Sequence, residues 1–205
     1  MCWFNRHHPE YVSLKNKSKK EVNYLLTELN AHLRAYFKFL GFSIECIKDQ
    51  PARLTISVNV KARHFKKAED LVAKAPVIPG WTFVTLEDPR PIDFLLEQQM
   101  KETGIDPREF YFSFDRNDPH NSVLVVFHPL CTEENELVIF CLAHDAVYNL
   151  LGERSFGNEI SWIEVENLSY ANPADVEELE ELLAYIALRK SDMVIDGEGN
   201  LVMMD

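Results

Sequence analysis

The chain has 205 residues, of which 46% are apolar, and its formal net charge is -12 at pH 7. This length suits one large domain or two small ones, and the apolar share is that of an ordinary globular protein. The negative charge makes nucleic acids and anionic membrane surfaces poor partners, because both require a basic protein face.

The N-terminal residues contain no apolar signal stretch, and no apolar run elsewhere is long enough to span a bilayer. Cys46 and Cys141 lie in apolar segments, as reduced core thiols often do. The four cysteines are Cys2, Cys46, Cys131 and Cys141. We therefore expect a cytoplasmic protein with unpaired cysteines.

The first half of the chain predicts the order helix, strand, strand, helix, strand. Ser18 and Glu21 form a capping box at the start of a helix whose apolar spacing extends to Leu40, where Gly41 ends it. The strands show the alternation of half-buried antiparallel strands. The predicted ranges are 18–40, 42–48, 54–60, 65–74 and 81–87.

The same order recurs in the second half, where the predicted ranges are 91–104, 110–114, 123–127, 132–151 and 160–166. We therefore predict an α+β fold of antiparallel sheets with helices on one face. Two ferredoxin-like half-modules, 1–88 and 89–170, satisfy this pattern, and so does one continuous sheet.

The final segment, 171–205, is predicted to form a helix and a terminal β-hairpin. Asn172 and Pro173 suit the cap and first turn of this helix, and a Gly-rich turn follows at 196–200. Acidic residues are expected on the outer face of the helix. The candidates for binding are Asp175, Glu177, Glu178 and Glu181.

The acidic charge is concentrated in the last third of the chain. Residues 131–205 hold 17 Asp/Glu and 3 Lys/Arg, whereas residues 1–130 hold 16 and 18. Such a surface either keeps a protein soluble or docks a basic protein through complementary charge.

A polar loop between two predicted strands, 115–121, is the candidate catalytic site. Asp115, Asp118 and His120 bring carboxylates and an imidazole together, which general acid–base chemistry requires. Asn, Asp and Pro are equally what a tight turn needs for its backbone geometry. A hydrolase-like enzyme and a simple turn therefore both remain open for this loop.

An H-x-x-C…C-x-x-H spacing supplies the ligand types of a zinc site, at His128, Cys131, Cys141 and His144. If Thr132 caps the following helix, the two cysteines lie on the order of 15 Å apart along it. A zinc ion holds its ligands at about 2.3 Å and does not bridge that gap. The spacing also places Cys141 and His144 on the apolar stripe of the helix, so core positions are favoured over a metal site.

Motifs for cofactor binding and common catalysis are absent. The chain has no Walker loop, no G-x-G-x-x-G, no G-x-S-x-G and no H-E-x-x-H. We therefore expect no cofactor.

The segment Ala73-Lys-Ala-Pro76-Val-Ile-Pro79-Gly80-Trp81, followed by Pro89-Arg90-Pro91, resembles a set of uncharacterised bacterial proteins. These carry an A-P-x-x-P-G-W…P-x-P segment between a helix and a strand. The resemblance implies a bacterial cytosolic protein and brings no activity and no site residues. Physically, Gly80 is suited to a left-handed backbone and Trp81 to anchoring the following strand.

The sequence thus favours a non-catalytic, protein-binding or regulatory role through the acidic last third. The expected partner is a basic protein or a second copy of the chain. A hydrolase-like enzyme using the 115–120 loop is the alternative, and a metal-binding protein is the second alternative.

Overall fold

The computed structural model describes residues 2–114, 123–191, 193–195 and 201–203. The chain divides into two compact units, Met1–Asp88 and Pro89–Asp205, so the segment 171–205 belongs to the second unit. Helices and sheets occur in both units, and the predicted α+β class is confirmed. Among the described residues, no helix has the length and apolar character needed to cross a membrane.

The first unit arranges its helices around a three-stranded sheet. Its elements are α1 (Cys2–Val12), α2 (Lys19–Tyr36), β1 (Gly41–Glu45), β2 (Ala52–Ser57), α3 (Phe65–Val72) and β3 (Trp81–Thr85). The strand order is β1-β2-β3; β1 and β2 are antiparallel, whereas β2 and β3 are parallel. Helix α3 connects the parallel pair and packs against both of its strands.

The second unit is built on a four-stranded sheet in the order β6-β5-β4-β7. Its elements are α4 (Asp93–Thr103), β4 (Tyr111–Phe114), β5 (Val123–His128), α5 (Glu136–Glu159), β6 (Trp162–Asn167), β7 (Glu177–Glu178), α6 (Leu182–Ser191), β8 (Met193–Ile195) and β9 (Leu201–Met203). Strands β5 and β6 are parallel, and β4 is antiparallel to β5 and to β7. Strands β8 and β9 pair antiparallel, as predicted for the C-terminal hairpin, and the turn predicted at 196–200 lies outside the described residues.

Both units follow the same path: a helix, an antiparallel hairpin, a helix and a strand parallel to the second hairpin strand. The three-stranded and the four-stranded sheet are therefore mixed, which differs from the antiparallel sheets predicted from the sequence. A connection that includes a helix is long enough to return the chain to the same end of the sheet, as parallel pairing requires. A ferredoxin-like split β-α-β unit would leave a strand between the connected strands, whereas here they are neighbours.

The core of the first unit joins one face of α2 to strand β2. The helix residues recur every four positions, and the strand residues alternate, as these two periodicities require. They are Leu25, Leu29 and Leu33 on the helix, with Leu54 and Ile56 on the strand, all buried. The capping box of α2 is confirmed, since Ser18 Oγ accepts the Glu21 N–H and Glu21 accepts the Ser18 N–H.

Helix α5 packs against β6 and α6 in the second unit. The helix begins at Glu136, and its N-cap is Asn135, so the predicted start at Thr132 is wrong. Instead, the Thr132 N–H donates to Asn135 Oδ1 at 2.8 Å within the turn that precedes the helix. Gly152, with φ 66° and ψ 166°, interrupts the helical backbone.

Candidate functional site

The predicted catalytic residues Asp115, Asp118 and His120 lie outside the described residues. The strands on either side of them are β4, which ends at Phe114, and β5, which begins at Val123. These strands pair antiparallel, as predicted. Catalysis by this loop stays a prediction.

The four predicted metal ligands differ strongly in exposure. His128 ends β5 and is fully buried, and Cys131 is buried in the following turn. Cys141 is exposed and His144 partly exposed, both on α5. Among the described residues, no group of three or more His, Cys, Asp or Glu side chains is placed to hold a metal ion. Because Cys141 is exposed, it is not the core position that its spacing on the helix indicated.

His128 and Cys131 build a turn rather than a reactive pair. His128 Nδ1 accepts the Leu130 N–H at 3.1 Å. The amide of Asn167 donates to the carbonyls of Pro129 and Cys131, at 3.1 and 2.7 Å. Burial raises the pKa of the Cys131 thiol, which keeps it protonated and a poor nucleophile.

The second ring nitrogen of His128 has a different environment. Nε2 has no hydrogen-bond partner among the described residues and lies 3.8 Å from the Glu109 carboxylate. Burial lowers the pKa of His128, and the negative charge of Glu109 partly opposes that shift. The neutral imidazole is consequently the favoured form.

The acidic residues chosen from the sequence do not share a helix face. Glu177 and Glu178 form β7 and pair with Phe112 and Tyr111 of β4. The carboxylate of Asp175 accepts a hydrogen bond from Asn172 at 2.8 Å. Helix α6 begins only at Leu182, because the preceding segment pairs with the sheet edge and then forms a 3₁₀ turn that includes Glu181.

A groove lies between the start of α5 and strand β6 in the second unit. It has a volume of about 560 Å³. The helix and the turn before it contribute one wall, and the full length of the strand up to Glu166 contributes the other. The lining residues are Glu133, Glu136, Leu137, Phe140, Trp162, Ile163, Glu164, Val165 and Glu166.

The groove combines exposed apolar surface with negative charge. Trp162 is 60% exposed and Leu137 is 75% exposed, although both are large apolar side chains. The four carboxylates, from Glu133, Glu136, Glu164 and Glu166, are exposed. Among the described residues, no Lys or Arg lies within ion-pair distance of them. The acidic excess of this third of the chain is visible in the sequence, but these four glutamates were not predicted as binding residues.

The motif segment lines a second cavity, in the first unit, of about 440 Å³. Gly80 has φ 79° and Trp81 begins β3 with 8% exposure, so the predicted structural roles of both are confirmed. Helix α1 also contributes to the lining, through residues that include His8. The Trp81 indole N–H and His8 Nδ1 are buried without a hydrogen-bond partner in the described part of the chain.

No family model, curated protein or solved structure matches this chain. The resemblance to the bacterial A-P-x-x-P-G-W set therefore stays a prediction. The α5–β6 groove has to be interpreted from its own geometry and charge.

Proposed function

We propose that the protein is a non-catalytic binding protein that holds a basic segment of another protein in the α5–β6 groove. The observation that carries this proposal is the combination of exposed apolar side chains with four carboxylates that no described Lys or Arg neutralises. Burial of Trp162 and Leu137 would supply affinity, because exposed aromatic and aliphatic side chains gain most when a partner covers them. The carboxylates would select a partner of opposite charge.

The charge of the whole second unit supports this interpretation. Residues 89–205 hold 24 Asp/Glu and 7 Lys/Arg, and residues 1–88 hold 9 and 14, which together make the 33 and 21 of the chain. The second unit is thus strongly negative, whereas the first is weakly positive. A field of one sign around a groove steers oppositely charged partners toward it and accelerates association.

The composition of the groove argues for binding rather than covalent catalysis. In the described part of the chain, its lining contains only Glu, Leu, Phe, Trp, Ile and Val. A nucleophilic mechanism normally uses a Ser, Thr, Cys, Lys or His side chain, or a carboxylate activated in a defined pocket. Four exposed carboxylates beside apolar surface instead match the polar rim and apolar centre of a protein interface.

The test compares two variants that remove the same charge. One replaces the groove residues Glu133, Glu136, Glu164 and Glu166 by Gln. The other replaces Asp175 by Asn and Glu177, Glu178 and Glu181 by Gln. Each is titrated calorimetrically with a synthetic peptide of alternating Lys and Val, and a Glu-Val peptide serves as the probe control.

We expect the groove variant to bind the Lys-Val peptide at least about tenfold more weakly, while the control variant binds like the wild type. Raising NaCl from about 50 mM to about 500 mM should also weaken wild-type binding, because salt screens exposed charges. Equal losses in both variants would assign the effect to net charge alone. A loss confined to the control variant would place the site at 175–181, and both results would contradict the groove.

A further inference from the structure

We infer that the basic segment enters the groove as an additional β-strand paired with the outer edge of β6. This inference rests on the function proposed above and specifies how the partner is held. It makes the protein a receptor for an extended peptide with alternating basic and apolar residues, rather than for a helix or a folded basic surface.

The position of β6 in its sheet is the first reason. β6 is the terminal strand in the order β6-β5-β4-β7, and it pairs with β5 over its whole length, from Trp162 to Asn167. No strand among the described residues pairs with its other side. The outward N–H and C=O groups of an edge strand are a template for a further strand, and peptides bind other proteins in this way.

The groove runs along this free edge. Consecutive residues of β6, from Trp162 to Glu166, all line it, although their side chains alternate between the two faces of the sheet. A cavity lined by consecutive residues of one strand lies at the edge of that strand rather than above one face, because residues on one face would be every second one. An added strand would therefore occupy the groove itself, alongside β6.

The two faces of β6 predict what the added strand should carry. Trp162, Glu164 and Glu166 are exposed and share one face, whereas Ile163 is buried and Val165 half-buried on the other. Basic residues of the partner on the first face would lie beside the two glutamates, since opposite charges on neighbouring strands stabilise a sheet.

Apolar residues of the partner would point to the other face, toward Leu137 and Phe140 of α5. The six residues of β6 accommodate a partner segment of about 20 Å. The preferred ligand is thus a short extended segment in which Lys or Arg alternates with apolar residues.

The same charges disfavour a second copy of this chain as the occupant. Pairing two β6 edges would bring Glu164 and Glu166 of one copy close to those of the other, and like charges on neighbouring strands destabilise a sheet. Charged side chains on an edge strand are a common protection against self-association. A basic partner removes the repulsion that an identical chain would create.

The test uses N-methylation, which deletes backbone N–H donors and leaves the peptide's side chains and charge unchanged. The Lys-Val peptide is compared with three methylated forms: at every Lys, at every Val, and at every residue. Alternate N–H groups of a strand point to opposite sides, so one alternate set faces β6 and the other faces solvent.

We expect the fully methylated peptide to bind at least about tenfold more weakly than the parent. One of the two alternately methylated peptides should lose affinity in the same way, while the other binds like the parent. Because the Lys side chains are expected beside the glutamates, the direction of the added strand decides whether the Lys or the Val N–H groups face β6. The methylated form that loses affinity therefore reports this direction. Amide hydrogen exchange of residues 162–167 should slow when the parent peptide binds, and should not slow with the fully methylated one.

If all four peptides bind equally, strand addition is wrong, while capture of a basic segment by the groove still stands. If the parent peptide does not bind at all, the proposed function itself is wrong. If the parent binds and the β6 amides exchange as fast as before, the peptide lies elsewhere and the inference is overturned.

Discussion

Tyr11 shows how one buried polar atom contributes to the stability of the first unit. Its side chain is fully buried, and its hydroxyl donates to the Leu25 carbonyl at 2.8 Å, which links α1 to α2. Replacing Tyr11 by Phe removes the donor and keeps the ring. We expect the free energy of unfolding to fall by about 1 kcal/mol in urea titrations. Tyr24→Phe is the matched control, because Tyr24 is 64% exposed, and an equal loss there would contradict the assignment.

His128 predicts how stability depends on pH. Burial holds its pKa in the folded chain below the value of about 6.5 expected when unfolded. Below about pH 6.5 the unfolded chain therefore binds a proton that the folded chain does not, and stability falls as the pH is lowered toward the folded-state pKa. The contribution of one such group approaches about 1.4 kcal/mol per pH unit.

We expect His128→Gln to flatten the decrease in unfolding free energy between about pH 6.5 and pH 5, measured by urea titration at a series of pH values. A slope that is the same in wild type and His128→Gln would show that the buried imidazole does not control this pH dependence.

At the scale of the elements, Gly152 allows helix α5 to kink. Its φ of 66° and ψ of 166° lie in a region that side chains other than glycine's rarely permit. Gly152→Ala should therefore lower the free energy of unfolding by about 1–3 kcal/mol. Gly157→Ala in the same helix is the control, because Gly157 does not have a positive φ. Among the described glycines, positive φ occurs only at 80, 104 and 152. That change should be neutral or stabilising, because alanine favours helix more than glycine does.

Sequence patterns predicted the helices and strands that are stabilised by residues close to one another in the sequence. The capping box located the start of α2, but the helix ends at Tyr36 and Gly41 begins β1 instead of ending the helix. Alternation located β2, which begins and ends a few residues before the predicted range. The start of α6 was predicted nine or so residues too early, because Glu177 and Glu178 pair with β4, a partner distant in sequence. Helix α1 was not predicted, because it contains Pro9 and is held by tertiary contacts. One of these is the edge-to-face packing of Phe4 on Trp81, with 4.9 Å between the ring centroids.

At the scale of the whole molecule, the composition predicted that the candidate site is negatively charged, but it did not predict which residues form the site. The acidic excess of the last third is visible in the sequence, and the groove lies within it. Which carboxylates face one groove depends on α5 lying beside β6, and the availability of β6 depends on the strand order. Strand order is set by pairing between distant segments, which alternation along one strand does not encode. The Trp162-Ile-Glu-Val-Glu166 alternation was visible, but its place at the sheet edge was not.

The separation of cores and charges predicts that each unit folds and acts alone. The buried core that runs from Phe4 to Leu86 consists entirely of first-unit residues, and the groove consists entirely of second-unit residues. Residues 1–88 and 89–205, produced separately, should each show cooperative thermal unfolding by circular dichroism. The acidic unit should bind the Lys-Val peptide with the affinity of the full chain, whereas the first unit, which holds 14 Lys/Arg and 9 Asp/Glu, should not bind it. Peptide binding that requires the full chain, although 89–205 is folded, would mean that the first unit completes the site.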